Sequence, residues 1–213
     1  DAFKDLEVKN NQVFVGYTLR CHPLLRLIRE KIVNKEIWSA NIFCGGYLPE
    51  WYTKKDYRKS YSASKKAGGG VLLDISHELD YINWLCGRIE PEFAKNKKIS
   101  NLEIDSDDFL LLSGYTERDV HVNISLNYFT RKSVRQIIID GEGISLNADL
   151  LRNTITIHDD GISSDYSWPN FSKNDMYITQ HKELLLNETI WLCNYEEGQE
   201  TMRLIEKIRS YSK

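Results

Sequence analysis

Residues 68–87 carry the residue types and spacings best suited to chemistry. They read Gly-Gly-Gly-Val-Leu-Leu-Asp-Ile-Ser-His-Glu-Leu-Asp-Tyr-Ile-Asn-Trp-Leu-Cys-Gly. On a helix, four polar or aromatic side chains share one side: Asp74, His77, Tyr81 and Trp84. Asp80 lies three residues after His77, and a carboxylate beside an imidazole raises the pKa of the imidazole and fixes the tautomer of its ring. The spacing therefore predicts a histidine that transfers protons near neutral pH.

The glycines before this helix are candidate ligand contacts. Gly69 and Gly70 would let the backbone approach a ligand closely at the helix N-terminus. A helix with one histidine and two aspartates is nevertheless common, and a triple glycine is often only a flexible entry. From the residues alone, a structural role stays open beside a catalytic one.

Other functional motifs fail on residue type or context. His77-Glu78 begins like the zinc-protease HExxH motif, but Tyr81 stands where the second histidine must be. The glycines at 141 and 143 lack the strand, glycine loop and helix of a nucleotide fingerprint, and they indicate a tight turn. GxGxxG, P-loop and GxSxG motifs are absent from the sequence. We expect no metal site and no dinucleotide site in this chain.

Composition predicts one globular domain over residues 1–213. Hydrophobic residues make up 41% and the net charge is −3, which excludes a strongly basic nucleic-acid surface. No apolar run approaches the roughly 18 residues of a membrane span. Four scattered cysteines without a CxxC pair favour a cytoplasmic protein with free, mostly buried thiols. Because the sequence starts without Met, we expect a fragment, a processed product or a trimmed chain, and its polar, acidic start predicts no signal peptide.

Periodicity predicts an α+β fold. The charged residues 1–10 are expected to end a helix that enters from upstream, and residues 48–67 to form a long loop. The predicted helices are 23–32, 71–86, 173–187 and 195–211. The predicted strands are 12–18, 37–47, 109–115, 120–129, 134–140, 144–147 and 154–158. We expect a mostly antiparallel sheet with helices on one face, because residues 120–129 alternate between apolar and polar side chains.

Four segments together resemble the glucose-fructose oxidoreductase / inositol dehydrogenase / MocA family. Residues 68–87 resemble its helix motif, and residues 15–23 (Val-Gly-Tyr-Thr-Leu-Arg-Cys-His-Pro) its strand-to-helix segment. Residues 32–40 resemble the connection that follows, and residues 139–144 the usual strand–turn–strand. These matches keep the family's order over about residues 12–148.

The resemblance implies a dihydrodipicolinate-reductase-like C-terminal domain. In that family an N-terminal Rossmann domain binds NAD(H) or NADP(H), and the C-terminal domain binds a sugar or polyol, with a nucleotide sugar among the candidates for this chain. We expect that Rossmann domain upstream of this chain, which would be inactive alone. The resemblance also implies a homo-oligomer formed through the open sheet face, and no metal, nucleic acid or membrane.

The resemblance also assigns roles to individual residues. His77 is the acid/base histidine and Asp74 its partner carboxylate, at a spacing of three where many family members have four. The positions carried over as substrate-binding are Tyr17, Arg20, Gly69, Gly70 and Asp80. The alternative is a non-catalytic ligand-binding or oligomerisation module that retains the fold.

Overall fold

A mixed eight-stranded sheet forms the centre of the computed structural model, which describes residues 13–211. Within these residues the strands are β1 Phe14–Val15, β2 Ile37–Gly45, β3 Ile89–Lys97, β4 Phe109–Thr116, β5 His121–Asn127, β6 Val134–Gly141, β7 Ile144–Asp149, β8 Thr154–Asp159, β9 Ile162–Ser167 and β10 Cys193–Asn194. The sheet runs in the order β3-β4-β5-β2-β6-β7-β8-β9, and β1 pairs separately with β10.

Helices cover one face of this sheet. They are α1 Pro23–Ile32, α2 Leu48–Trp51, α3 Val71–Asp74, α4 Ser76–Cys86, α5 Lys173–Leu186 and α6 Tyr195–Tyr211. Short 3-10 turns occupy Thr18–Cys21, Tyr57–Lys59, Tyr61–Ala63 and Thr189–Trp191. The predicted α+β class is therefore confirmed. The helix predicted to end within residues 1–10 lies outside the described residues.

Strand β2 interrupts the expected meander. It is parallel to β5 on one side and antiparallel to β6 on the other, while every other neighbouring pair in the sheet is antiparallel. Ala40 and Ile42 of β2 are buried in the core at 0% and 4% exposure. A strand with such side chains is stable at the centre of the sheet, where apolar neighbours flank it on both sides.

The two faces of the sheet differ as the alternation predicts. In β5 the side chains of Val122, Ile124 and Leu126 are fully buried beneath the helices. His121 and Asn123, which alternate with them, are exposed on the opposite face. Successive residues of a strand point to opposite faces, so one sheet supplies both the core and an open surface.

Several predicted boundaries were wrong. Of the predicted strand at 12–18, residue 12 lies outside the described residues, and in the rest only β1 is a strand, with a 3-10 turn beginning at Thr18. The predicted loop at 48–67 contains α2 and two 3-10 turns. Strands β3 and β9 were not predicted, because both are edge strands with polar side chains, and β3 contains Pro91.

A buried ion pair joins the first turn of the chain to α4. Arg20 is 2% exposed, and its Nε and Nη2 donate to the two oxygens of Asp80, at 3.0 and 2.8 Å. Its Nη1 donates to Glu197 of α6 at 2.8 Å. One guanidinium therefore fastens two helices to the start of the domain, in the bidentate geometry that suits arginine best.

His22 caps the first helix. Its Nδ1 accepts the Leu24 N–H at 3.1 Å, so the ring proton lies on Nε2, which donates to Asn153 at 3.0 Å. The ring is 2% exposed and packs edge-on against Phe171. Burial lowers the pKa of the imidazole to about 4, although the Asn153 hydrogen bond opposes this shift.

We expect His22→Asn to flatten the dependence of stability on pH. The pKa of His22 is about 4 in the folded chain and 6.5 when unfolded, so its contribution is complete above pH 6.5 and is lost as pH falls towards 4. Asparagine keeps the capping acceptor but does not titrate. Urea unfolding at pH 7.5 and 5 should show the natural chain losing roughly 2 kcal/mol more than the variant. Equal losses would contradict a neutral, buried His22.

Removal of Asp80 should be far more damaging than removal of an exposed carboxylate. Asp80→Ala leaves the Arg20 charge buried without its main partner, which costs about 3–5 kcal/mol. Glu90→Ala is the control, because Glu90 pairs with Lys207 at half-exposed positions and should lose at most about 1 kcal/mol. Denaturant unfolding of both variants measures the difference, and similar losses would show that the Arg20 pair is not structural.

Candidate functional site

The candidate site lies at one end of the sheet. The parallel strands β2 and β5 both finish there, so the segments that follow them lie side by side. Tyr128 comes directly after β5, and Asp107 lies just before β4, whose first residue pairs with the last residue of β5. The α3–α4 segment crosses this end through its contacts with Tyr128 and with Arg135 at the start of β6.

The glycine entry packs against the chain itself. A Cβ at Gly69 would lie 2.0 Å from the Tyr61 carbonyl oxygen, and one at Gly70 would lie 2.3 Å from Asp107 Oδ1. Gly70 also has φ of +115°, a conformation that favours glycine. Asp107 accepts the N–H groups of Val71 and Leu72 through its carbonyl and its carboxylate. Asp107 therefore occupies the start of α3, and ligand contact by Gly69 and Gly70 stays a prediction.

The predicted continuous helix over residues 71–86 is broken at Ile75. Its φ and ψ of −109° and 22° lie outside the helical region, so α3 ends at Asp74 and α4 begins at Ser76. The side chains of Asp74, His77, Tyr81 and Trp84 therefore do not share one side of a helix, contrary to the expectation. Tyr81 and Trp84 belong to the core at 0% and 8% exposure, whereas Asp74 and His77 are only half-buried. The break orients Asp74 and His77 towards different partners.

Asp74 belongs to a cluster of hydroxyl groups. Tyr128 Oη donates to Asp74 Oδ2 at 2.6 Å. Burial raises the pKa of Asp74, while hydrogen bonds from Ser62 and Tyr128 act against that rise. Trp51, which is 44% exposed, packs edge-on against the Tyr128 ring at 5.3 Å. A carboxylate with hydroxyl donors and a nearby exposed aromatic ring suits the recognition of polar, ring-shaped molecules.

His77 belongs to a separate network centred on Glu78. The Glu78 carboxylate is 0% exposed, and its Oε1 lies 3.3 Å from His77 Nε2. The same oxygen accepts from Arg135 Nε at 2.9 Å, and Oε2 accepts from Tyr81 Oη at 2.6 Å. The carboxylate beside His77 is thus Glu78 and not Asp80, which is bound to Arg20.

The pKa of His77 is lowered, contrary to the expectation of a raised value. Burial is the main cause, and the positive charge of Arg135 adds to it, while Glu78 opposes both and Lys173 has a smaller lowering effect. The side chain keeps 32% of its surface exposed. At neutral pH the imidazole is therefore uncharged and accessible, which is the state of a proton acceptor.

Three further predicted residues lie around these two clusters. Tyr17 Oη donates to Ser76 Oγ at 3.3 Å, immediately before His77, so the structure does bring Tyr17 to this part of α4. Arg20 and Asp80 lie in the core and use their polar atoms on each other and on α6. Their contact with a substrate stays a prediction, since neither side chain is more than 2% exposed.

The residues that complete the site were not singled out from the sequence. These are Ser62, Glu78, Asp107, Tyr128 and Arg135. Arg135 and Tyr128 carry a usable signal, because each lies at the end of an apolar strand where a polar group needs a partner. Glu78 was noted only as part of a failed zinc motif, although its place beside His77 in the sequence is the simplest clue.

The described residues offer no dinucleotide site of the glycine-loop type. Asp107 already binds the N–H groups that a pyrophosphate would need at the start of α3, and the space beside Gly69 and Gly70 is filled by the chain itself. Within residues 13–211 no group of three or more metal-ligating side chains converges. Over the same residues no helix has the length and hydropathy of a membrane span. All four cysteines are free, and three are buried, as predicted.

Similar folds occur in solved structures of sugar dehydrogenases and of a repressor. Levoglucosan dehydrogenase in complex with NADH and levoglucosan matches with a TM-score of 0.81 and 15% identity, covering 95% of this chain and 64% of its own. UDP-N-acetylglucosamine 3-dehydrogenase from Acidithiobacillus ferrooxidans matches with a TM-score of 0.71 and 15% identity, covering 92% and 60%. A super-repressor mutant of Gal80p from Saccharomyces cerevisiae matches with 0.77 and 16%, covering 94% and 63%.

These structural similarities establish the fold, whereas the assignment to a family rests on the sequence. The chain spans 60% to 64% of the length of those three proteins. No curated protein matches the sequence significantly. A family model described as the GFO/IDH/MocA C-terminal domain matches residues 36–147, which is just over half of the chain and includes α4 with His77. The chain therefore belongs to the GFO/IDH/MocA family and contains that family's C-terminal domain.

Proposed function

We propose that this chain is the substrate-binding part of an NAD(P)-dependent oxidoreductase that acts on a sugar, a nucleotide sugar or a polyol, with His77 as its acid/base. One observation carries the proposal: an uncharged, solvent-accessible histidine lies at the end of the sheet, on the helix that matches the family. The neighbours that bind NADH or act on sugars support the cofactor and substrate class. In this proposal the cofactor is bound outside the described residues.

His77 would manage the proton of the reaction. Oxidation of a sugar alcohol releases a hydride and a proton, and the nicotinamide supplies the hydride chemistry when bound. The neutral imidazole accepts the hydroxyl proton, and in the opposite direction the imidazolium returns it. A pKa of about 4 keeps the ring neutral at pH 7, which is the form that accepts a proton, and it also makes His77 a weaker base than an ordinary histidine.

Asp74 and its neighbours would hold the sugar. The half-buried Asp74 carboxylate offers hydrogen bonds to sugar hydroxyl groups, the buried Tyr128 hydroxyl holds that carboxylate in place, and Trp51 offers an exposed ring. Tyr17 approaches from the other side through Ser76. Asp74 would act as a binding group more than as a direct partner of His77, because the break at Ile75 separates their hydrogen-bonding clusters.

The open sheet face would join copies of the chain. Phe43, Leu111 and Tyr115 are between 36% and 40% exposed on it, beside a polar pair in which Asn123 donates to Asn41 at 3.0 Å. A mixed apolar and polar surface of this kind is typical of subunit interfaces. We further propose that the assembled protein is cytoplasmic, since its thiols are free.

A non-catalytic module is the second candidate. The similarity to a repressor indicates that this fold also occurs in a protein named for regulation and not for catalysis. The separation of Asp74 from His77 fits that alternative, because a cleft used only for binding does not need the two groups to act together. A turnover measurement separates the two candidates.

Nicotinamide binding and His77 replacement test the catalytic proposal. Reduced nicotinamide, read by its fluorescence, should bind the full-length gene product in the micromolar range and should not bind this 213-residue chain. With a sugar that the full-length protein oxidises, His77→Ala should lower turnover by about 10²–10⁴. His181→Ala is the control, since this exposed histidine lies on α5 and bonds only to the Tyr177 backbone. A loss under threefold for His77→Ala would show that His77 is not the acid/base, whereas a full-length protein that binds no reduced nicotinamide would favour the binding module.

A charged residue on the open face tests oligomerisation. We expect Leu111→Glu to convert the oligomer to monomers, because an unpaired carboxylate would be buried at the interface. Leu151→Glu is the matched control, since Leu151 is an exposed leucine in the turn after β7, away from that face. Sedimentation equilibrium gives the mass of each variant. An unchanged mass for Leu111→Glu would place the interface elsewhere.

A further inference from the structure

The Glu78 carboxylate makes several contacts to which the proposed reaction assigns no role. It is fully buried, and three side chains from two elements converge on it: His77 and Tyr81 of α4, and Arg135 of β6. A buried carboxylate is costly to desolvate, and it persists where charge and hydrogen bonds compensate for the loss of water. Arg135 and Tyr81 supply that compensation here.

The third contact distinguishes this network from a purely structural ion pair. Arg135 and Tyr81 already bind both oxygens of Glu78, and Oε1 also lies 3.3 Å from His77 Nε2, a charge contact and not a hydrogen bond. A carboxylate beside one ring nitrogen favours the tautomer with the proton on that nitrogen. The other nitrogen, Nδ1, then keeps a lone pair.

We propose that Glu78 is a positioning residue for His77: its negative charge, 3.3 Å from Nε2, keeps the ring proton on that nitrogen and leaves Nδ1 as the nitrogen that exchanges a proton with the substrate. This inference rests on the proposed function for its link to catalysis. The orientation of the ring itself does not depend on that function.

Arg135 makes the arrangement rigid. It is the second residue of β6 and lies opposite Cys44 of β2, so its backbone belongs to the centre of the sheet. Its two guanidinium contacts to Glu78 Oε1 connect α4 directly to that sheet. Glu78 therefore cannot turn away from His77 without breaking bonds to a fixed strand.

The charges around His77 predict opposite effects for two substitutions. The ionisable groups around the network are Glu78 and Tyr81 of α4, Arg135 of β6, Lys173 of α5 and Cys44 of β2. Removing the negative charge of Glu78 destabilises the imidazolium and lowers the pKa of His77 further. Removing the positive charge of Arg135 has the opposite effect and raises it. A general loosening of the fold would not move the pKa in two directions.

Nitrogen NMR of the 213-residue chain tests the proposal without a substrate. Two-bond ¹H–¹⁵N spectra of histidine-labelled protein report the tautomer and pKa of each ring, and His77→Gln assigns the His77 signals. We expect the neutral His77 ring to carry its proton on Nε2. A proton on Nδ1 in the natural chain would overturn the proposal, and this measurement needs no substitution at Glu78.

Charge variants complete the test. Glu78→Gln should lower the pKa of His77 and populate both tautomers, Arg135→Gln should raise the pKa, and Arg135→Lys should restore most of the natural value. Glu117→Gln is the control, because Glu117 is an exposed partner of Arg88. The buried His22 ring, with its separate partner Asn153, reports in each spectrum that the fold is intact. Shifts of the same sign for Glu78→Gln and Arg135→Gln would contradict the proposal.

Turnover separates this proposal from the proposed function. In a full-length protein that oxidises a sugar, Glu78→Gln should lower kcat by roughly tenfold or more with KM within threefold, because the acid/base and not substrate binding is affected. Unchanged kcat with an altered His77 tautomer would refute the positioning role. If no sugar is oxidised at all, the proposed function fails, while the NMR result still decides whether Glu78 orients the ring.

Discussion

Two fully buried carboxylates on one short helix constrain the rest of this domain. Glu78 and Asp80 of α4 are both 0% exposed, and each needs a cation because an unpaired buried charge costs several kcal/mol. Their partners come from opposite directions in the sequence, Arg20 from before the helix and Arg135 from the sheet after it. Helix α4 is therefore held at two points by charge, and His77, next to Glu78, is placed by the same contacts.

The break at Ile75 follows from the same constraint at the other end of the segment. Asp107 and Tyr128 hold the α3 turn through the Leu72 N–H and the Asp74 carboxylate. Arg20 and Arg135 hold α4. One non-helical residue lets each piece keep its own partners. The break between Asp74 and His77 thus separates a hydroxyl-rich cluster from a charged one at the same end of the sheet.

Local pattern predicted most elements, because core strands and amphipathic helices carry their periodicity in consecutive residues. Strands β2 and β4 to β8 and the helices α1, α5 and α6 were found within a few residues of their observed bounds. Partnerships over long distances were not predictable in this way. No residue near Arg20 in the sequence indicates that its partner is Asp80, sixty residues later. Likewise, no residue near Glu78 indicates that its partner is Arg135. The edge strands β3 and β9 were missed for a related reason, since a polar edge strand has no strong period of its own.

The site was also predictable where it depends on local residue types and not where it depends on distant partners. His77 was identifiable from residue type and from the family resemblance, but the direction of its pKa shift was not, because Arg135 and burial outweigh the adjacent carboxylate. Asp80 was assigned to His77 on helical spacing, and the competing bidentate contact with Arg20 is stronger than any geometry available to an imidazole at that position. Helical spacing therefore shows which residues can be neighbours, and the pairing of buried charges determines which of these residues are in contact. In this domain Asp80 pairs with Arg20. Glu78, which contacts both the sheet and the histidine, is therefore the carboxylate of α4 that lies beside the group that would carry the proton.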